Sequence, residues 1–193
     1  MSSPSASVSC SSLLLVLALV LLAPAPAGSV VFHTQRSALA LAFPGADRIE
    51  RRNVILTDAQ AEAIERRAQA PLDSRIVTLH VGWRGQRTLG YAVIEVHRVR
   101  TLPEALMIVL TPDGAVRSVR MLAFHEPEDY LPPGRWLEQF DDRTLGPDLQ
   151  LKRDIHAIAG ATLSSRAATR SVRRALAMHE VLVAPSALAT SGD

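Results

Sequence analysis

The sequence contains one cysteine, Cys10, one lysine, Lys152, and aromatic residues at only 4% of its 193 positions. A lone cysteine excludes an intramolecular disulfide framework and any multi-cysteine zinc or iron–sulfur site, so metal or cofactor chemistry must use other residues. With a single lysine, the positive charge is almost entirely arginine: 21 basic residues stand against 19 acidic ones, a net charge of +2. That near-balance is a poor footprint for nucleic-acid binding. A composition of 48% hydrophobic and 21% charged residues builds a core and argues against a disordered chain. The length fits one domain.

The longest apolar run, Leu13–Leu22, is short for a bilayer span, and Ala25-Pro26-Ala27 supplies the small residues that a signal peptidase needs. Residues 1–27 are read as a secretory signal cleaved after Ala27, with 28–193 as a single domain in an extracytoplasmic, periplasmic space. No Lys or Arg precedes Leu13, and retention as a membrane anchor is the alternative. Cys10 lies before the apolar run rather than after it, which excludes the lipoprotein arrangement. Cleavage would leave a mature chain without a thiol, suited to an oxidising compartment.

The periodicities predict an α+β fold: an antiparallel sheet flanked by helices, ending in a long C-terminal helix. Thr57-Asp58-Ala59-Gln60 has capping-box spacing and opens a helix to Ala68, and Ser37–Phe43 forms a shorter one ended by Pro44-Gly45. Residues 76–81 and 88–96 read as a hairpin around Arg84-Gly85-Gln86, and 105–110 and 116–124 as a second around Pro112-Asp113-Gly114. A proline-rich loop leads into a helical segment at Arg135–Phe140, where Trp136 and Phe140, four apart, are expected to pack. In the last helix, from about Leu163 to Val183, Ala168, Val172, Ala175, Leu176 and Val183 share an apolar arc. His179 falls on that arc as a packing residue, and Arg166, Arg170, Arg173 and Arg174 form an opposite arc read as solvated. No histidine spacing suggests a metal site, and no nucleophile elbow suggests a hydrolase.

The sharpest local feature is Ala159-Gly160-Ala161-Thr162-Leu163-Ser164-Ser165, a small-residue turn feeding directly into that helix. With Thr162 near the N-cap, the amides of Leu163, Ser164 and Ser165 lack helical acceptors and point with the positive dipole end toward an anion. Gly160 lets the backbone come close, the hydroxyls of Thr162, Ser164 and Ser165 are short donors, and a phosphate fits there. An ordinary capped helix, with Thr162 bonding the amide of Ser165, satisfies the same spacing. Spacing alone favours the capped helix, and local physics suggests an anion site without naming the anion.

His156-Ala157-Ile158-Ala159-Gly160-Ala161-Thr162 resembles the Asp-x-x-Ser/Thr-Gly-Ala-Thr flavinylation motif of the FMN-binding domain family, found in the G subunit of Rnf electron-transport complexes and the C subunit of sodium-translocating NADH:quinone reductases. His125-Glu126-Pro127, followed by Trp136 and Phe140, is similar to the family's His-x-Glu-Thr-Pro-Gly segment and the helix after it. The resemblance covers about residues 76–183. It implies FMN as cofactor, attached by a phosphoester to Thr162 through a dedicated flavin transferase, with Glu126 and Tyr130 bordering the ring. It further implies electron transfer with a membrane-associated redox complex or another carrier. His156 stands where the family has Asp, and Ala159 where it has Ser or Thr. Those departures keep open a noncatalytic binding or sensory module with noncovalent FMN, another phosphate ligand or no cofactor.

Overall fold

A computed structural model of the protein describes Val30–Val31 and residues 34–184, so the signal expected over residues 1–27 lies outside the described residues. Six strands form one antiparallel sheet: β1 (Val30–Val31), β2 (Arg48–Ile55), β3 (Ile76–Arg84), β4 (Arg87–Arg98), β5 (Pro103–Leu110) and β6 (Val116–Phe124). Strands β2 to β6 are a meander, and β1 pairs with the free side of β6 to give the order β1-β6-β5-β4-β3-β2. Four helices accompany them: α1 (Gln35–Ala42), α2 (Asp58–Ala68), the single turn α3 (Gly134–Leu137) and the long α4 (Thr162–Leu182). The fold is α+β, as the periodicities predict.

The central strand β5 shows why the sheet needs cover on both sides. Its residues alternate between faces, and both faces are apolar: Leu106, Ile108 and Leu110 join the core under α2 and α4, while Met107 and Val109 join Ala38, Leu39, Ala42 and Phe43 of α1 and its exit. Helix α2 is set by the capping box expected from its sequence. Gln60 N donates to Thr57 Oγ1 at 3.2 Å and Thr57 N to Gln60 Oε1 at 3.0 Å, and Ala61, Ile64 and Ala68 are buried on one stripe. Trp136 and Phe140 are buried and meet edge to face at 5.5 Å, so their expected packing role holds.

One element goes unread in the sequence and one expectation is corrected. Strand β2 is not signalled in the sequence, because Arg48, Glu50, Arg51, Arg52 and Asn53 hide any apolar alternation. It is the sheet edge, where charged side chains are tolerated and discourage pairing with another chain. The basic arc of α4 is also not solvated throughout, since Arg173 and Arg174 are buried. Helix α2 packs against this side of α4, and the Arg173 guanidinium donates to the carbonyls of Arg67, Ala68, Gly146 and Leu149 at 2.7–3.1 Å. It thereby supplies a cation to the C-terminal carbonyls of α2. Arg174 donates from Nε to Glu95 Oε2 of β4 at 2.8 Å. On the same face, His97 Nε2 lies 2.7 Å from Glu104 Oε1 without the alignment of a hydrogen bond.

His179 is buried on α4 as expected, with Nε2 3.2 Å from Pro112 O and its ring edge-on to Tyr91. His80 is buried on β3 beside Gln35 of α1, and its Nδ1 has no hydrogen-bond partner. Burial pushes both imidazoles below the ordinary value of 6.5. Unfolding restores the ordinary basicity, so the unfolded chain binds more protons in this range. Stability is therefore complete above about pH 6.5 and declines as pH falls toward the depressed folded values. Melting between about pH 7.5 and about pH 5.5 is expected to show a drop in Tm that is smaller in His80→Leu. An equal drop in the variant would contradict the assignment to His80.

Candidate functional site

Three segments meet at the start of α4: the β4–β5 turn, the segment leaving β6, and the turn that precedes the helix. The last of these is fixed by the sequence in several places. The carbonyl of His156 accepts from Trp136 Nε1 at 2.6 Å, and its amide donates to Gln139 Oε1 at 2.9 Å. Ile158 N donates to Ser165 Oγ at 3.3 Å, while Ser165 Oγ donates to Ala161 O at 2.9 Å. Gly160 has φ +81°, a left-handed conformation that favours glycine, and no atom lies within 4 Å of where a Cβ would sit. The chain therefore turns tightly there and leaves open space on its outer side.

The helix begins one residue earlier than the sequence argument places it. Ala161 is the N-cap and no side chain caps it, Thr162 is the first helical residue, and Ser165 N donates to Ala161 O at 3.0 Å. The orphan amides are consequently those of Thr162, Leu163 and Ser164, not of Leu163, Ser164 and Ser165. Among the described residues none of the three has an acceptor. The alternative in which Thr162 caps the amide of Ser165 does not occur. Ser165 is fully buried, its hydroxyl shared between Ile158 and Ala161, so it braces the turn from behind.

A cavity of about 240 Å³ opens over these amides, lined by Arg100, Tyr130, Gly160, Ala161, Thr162, Leu163 and Ser164. Six of the residues singled out in the sequence thus share one surface, with Thr162 and Leu163 exposed on it. Tyr130 is half-buried at the end of a helical turn, Glu128–Tyr130, that follows Pro127. Arg100, in the β4–β5 turn, carries no motif and is missed by sequence reasoning. Its guanidinium carbon sits 4.9 Å from the centre of the Tyr130 ring, so a cation and an aromatic face form one wall.

Glu126 does not line the cavity, contrary to its expected place beside the ring. It is buried, and Oε1 accepts from the amides of Arg100, Thr101 and Leu102 at 3.1, 2.8 and 2.9 Å. This one oxygen ties the β4–β5 turn to the segment that leads to Tyr130. The missing signal is tertiary, since the three amides lie more than 20 residues away in sequence.

The orphan amides, the open glycine and the Arg100–Tyr130 wall form one surface that can receive an anion beside a planar group. Residues 103–177 match the FMN-binding domain family. This part of the chain is a flavin-binding module, and FMN is its cofactor. None of the curated proteins matches the chain. The match starts at β5, just after the Arg100 turn, and ends within α4, so it contains the Gly160–Ser165 turn, Glu126 and Tyr130. The residues present fit FMN: free amides and a hydroxyl suit its phosphate, and an aromatic face beside a cation suits a planar, polarisable ring.

The amides of Leu102 and Thr101 hold the Glu126 carboxyl below the ordinary glutamate value of 4.5, with the amide and charge of Arg100 adding to the effect against burial. A depressed carboxyl contributes stability that is complete above its unfolded value and lost as pH falls through its folded one. Hydrogen exchange at the amides of Arg100–Leu102, corrected for intrinsic rates, is expected to lose protection between about pH 5 and about pH 3. In Glu126→Gln the protection should be lower at the outset and flat across that window. Unchanged protection in the wild type would refute the carboxylate as the tie.

Proposed function

We propose that this protein is an exported electron-transfer flavoprotein whose FMN is joined through its phosphate to Thr162 Oγ. The observation that carries the reading is the coincidence, in one cavity, of an exposed threonine hydroxyl with three acceptor-free amides at the positive end of a 21-residue helix. Those amides would hold the phosphate oxygens, and Thr162 would supply the hydroxyl beside them. In the attachment the Thr162 hydroxyl gives up its proton and an Oγ–P bond forms as the P–O bond to the leaving group of the activated flavin breaks. The leaving group departs with that proton, so the product equals chain plus FMN less one water. A flavin transferase supplies the activated flavin during maturation.

Bound there, FMN supplies electron-transfer chemistry that no side chain of a thiol-free mature chain provides. The protein's own part is to hold the phosphate, to present Tyr130 and Arg100 to the ring, and to leave the cavity open to a partner. Export is supported by Leu13–Leu22 followed by Ala25-Pro26-Ala27, and outside the cytoplasm a covalent tether keeps a soluble cofactor from diffusing away. The expected partner in function is a membrane-associated redox complex or another electron carrier. A second reading, a binding or sensory module with noncovalent FMN, draws on His156 and Ala159, which depart from the flavinylation pattern.

The deciding measurement is the visible spectrum and intact mass of the protein produced with and without a flavin transferase. Covalent attachment predicts a flavin band that survives denaturation and the mass increment above, both abolished in Thr162→Ala. In His156→Asp with Ala159→Ser, loading should rise if the motif limits modification. Colour that washes off on denaturation would establish the second reading, and a folded, colourless protein under both conditions would refute the flavin carrier.

A further inference from the structure

The surroundings of Thr162 carry more positive charge than a phosphate site requires. Two further cavities adjoin the one already described. The first, of about 380 Å³, shares Thr162 with it and is lined by Lys152, Arg166 and Arg170 together with Gln69 and Gln150. The second, of about 220 Å³, shares Leu163 with it and Arg166 and Arg170 with its neighbour, and adds Arg98. Five exposed cations, Arg98, Arg100, Lys152, Arg166 and Arg170, therefore ring the site. Among the described residues none of the five cationic side chains forms a salt bridge, although the backbone amide of Arg100 is bonded to Glu126. Two other exposed arginines of the helices are paired, Arg66 with Glu62 and Arg67 with Glu180, whereas among the described residues Arg36 and Arg135 stand singly and apart from this face. The single carboxylate lining these three cavities is Asp73. For a chain of net charge +2, this is a strongly one-sided distribution.

At the middle of the ring Leu163 is 45% exposed, directly beside Thr162. An apolar centre inside a charged rim is the anatomy of a protein docking patch, and a rim of one sign steers a partner of the opposite sign and fixes its orientation. We propose that this face docks an acidic protein electron carrier over the Thr162 cavity, as a small, transient interface. The proposal rests on the reading that flavin at Thr162 exchanges electrons with a partner. A membrane fits the face poorly, because the surface is concave at three places and offers one exposed leucine where an interfacial surface needs an apolar band.

The test uses the mature protein, with and without flavin, against an acidic flavodoxin and against basic cytochrome c as counter-probe. Binding, read by calorimetry, does not require the flavin, so flavin loading is scored separately by absorbance. Flavodoxin is expected to bind both forms, with the dissociation constant rising about tenfold or more between about 20 mM and about 200 mM salt. Arg166→Glu with Arg170→Glu should weaken it about tenfold at low salt, whereas Arg87→Glu, at the β3–β4 hairpin, should leave it within about twofold. Circular dichroism confirms that each variant is folded. Equal affinity for cytochrome c, an equal effect of Arg87→Glu, or no flavodoxin binding by loaded protein would overturn the docking face. So would binding to vesicles of anionic phospholipid in place of flavodoxin. A colourless protein that still binds flavodoxin in this pattern would instead refute the flavin reading and leave the docking face standing.

Discussion

The Glu126 carboxylate is the interaction on which the site depends. By accepting three amides of the β4–β5 turn it holds Arg100 against Tyr130, and so carries the contact between the two segments beyond the last β5–β6 pair, Glu104 with Phe124. A buried carboxylate with three amide donors is well satisfied and tolerates little displacement, because any donor that leaves is exposed to no equivalent acceptor. Its absence from the cavity wall is consistent with that work. The residue fixes the turn that carries Arg100 while standing outside the cavity lining.

The other half of the cavity is the start of α4, and its position is set by bonds far along the helix. Arg173 is anchored to four backbone carbonyls and Arg174 to Glu95, which locks the helix against α2, the 146–149 loop and β4. Burial pushes the Arg173 guanidinium below its ordinary basicity, and the carbonyls take the place of a counter-ion. With both ends of the arrangement fixed, the first-turn amides of α4 are held in place before any ligand arrives. Preorganised donors of this kind favour an anion because they need no rearrangement to receive it.

Much of the fold was legible because local rules and packing agree. The Thr57–Gln60 capping box, the two central hairpins, the Trp136–Phe140 pair and the long helix all follow from spacing. Strand β2 was not legible, since an edge strand with Arg48, Glu50, Arg51 and Arg52 owes its conformation to pairing with β3 rather than to an apolar pattern. The burial of Arg173 and Arg174 was hidden for a related reason: charge on a helix face reads as exposure until a second helix is known to lie there. At the site, the Gly160–Ser164 turn was visible in sequence, but the cap fell on Ala161 and moved the free amides by one residue. Arg100 and the role of Glu126 depend on contacts between segments distant in sequence, which no local motif encodes.

The central claim is that the first turn of α4 presents Thr162, and not its neighbouring hydroxyls, to the flavin phosphate. Ser165 has its hydroxyl engaged in the turn and Ser164 is buried, whereas Thr162 is exposed in the cavity. Tryptic digestion of protein matured with a flavin transferase yields the peptide Asp154–Arg166, which contains all three hydroxyls. Fragmentation of that peptide is predicted to place the FMN phosphoryl group on Thr162 alone. Its placement on Ser164 or Ser165, or a peptide that carries no flavin, would contradict the account.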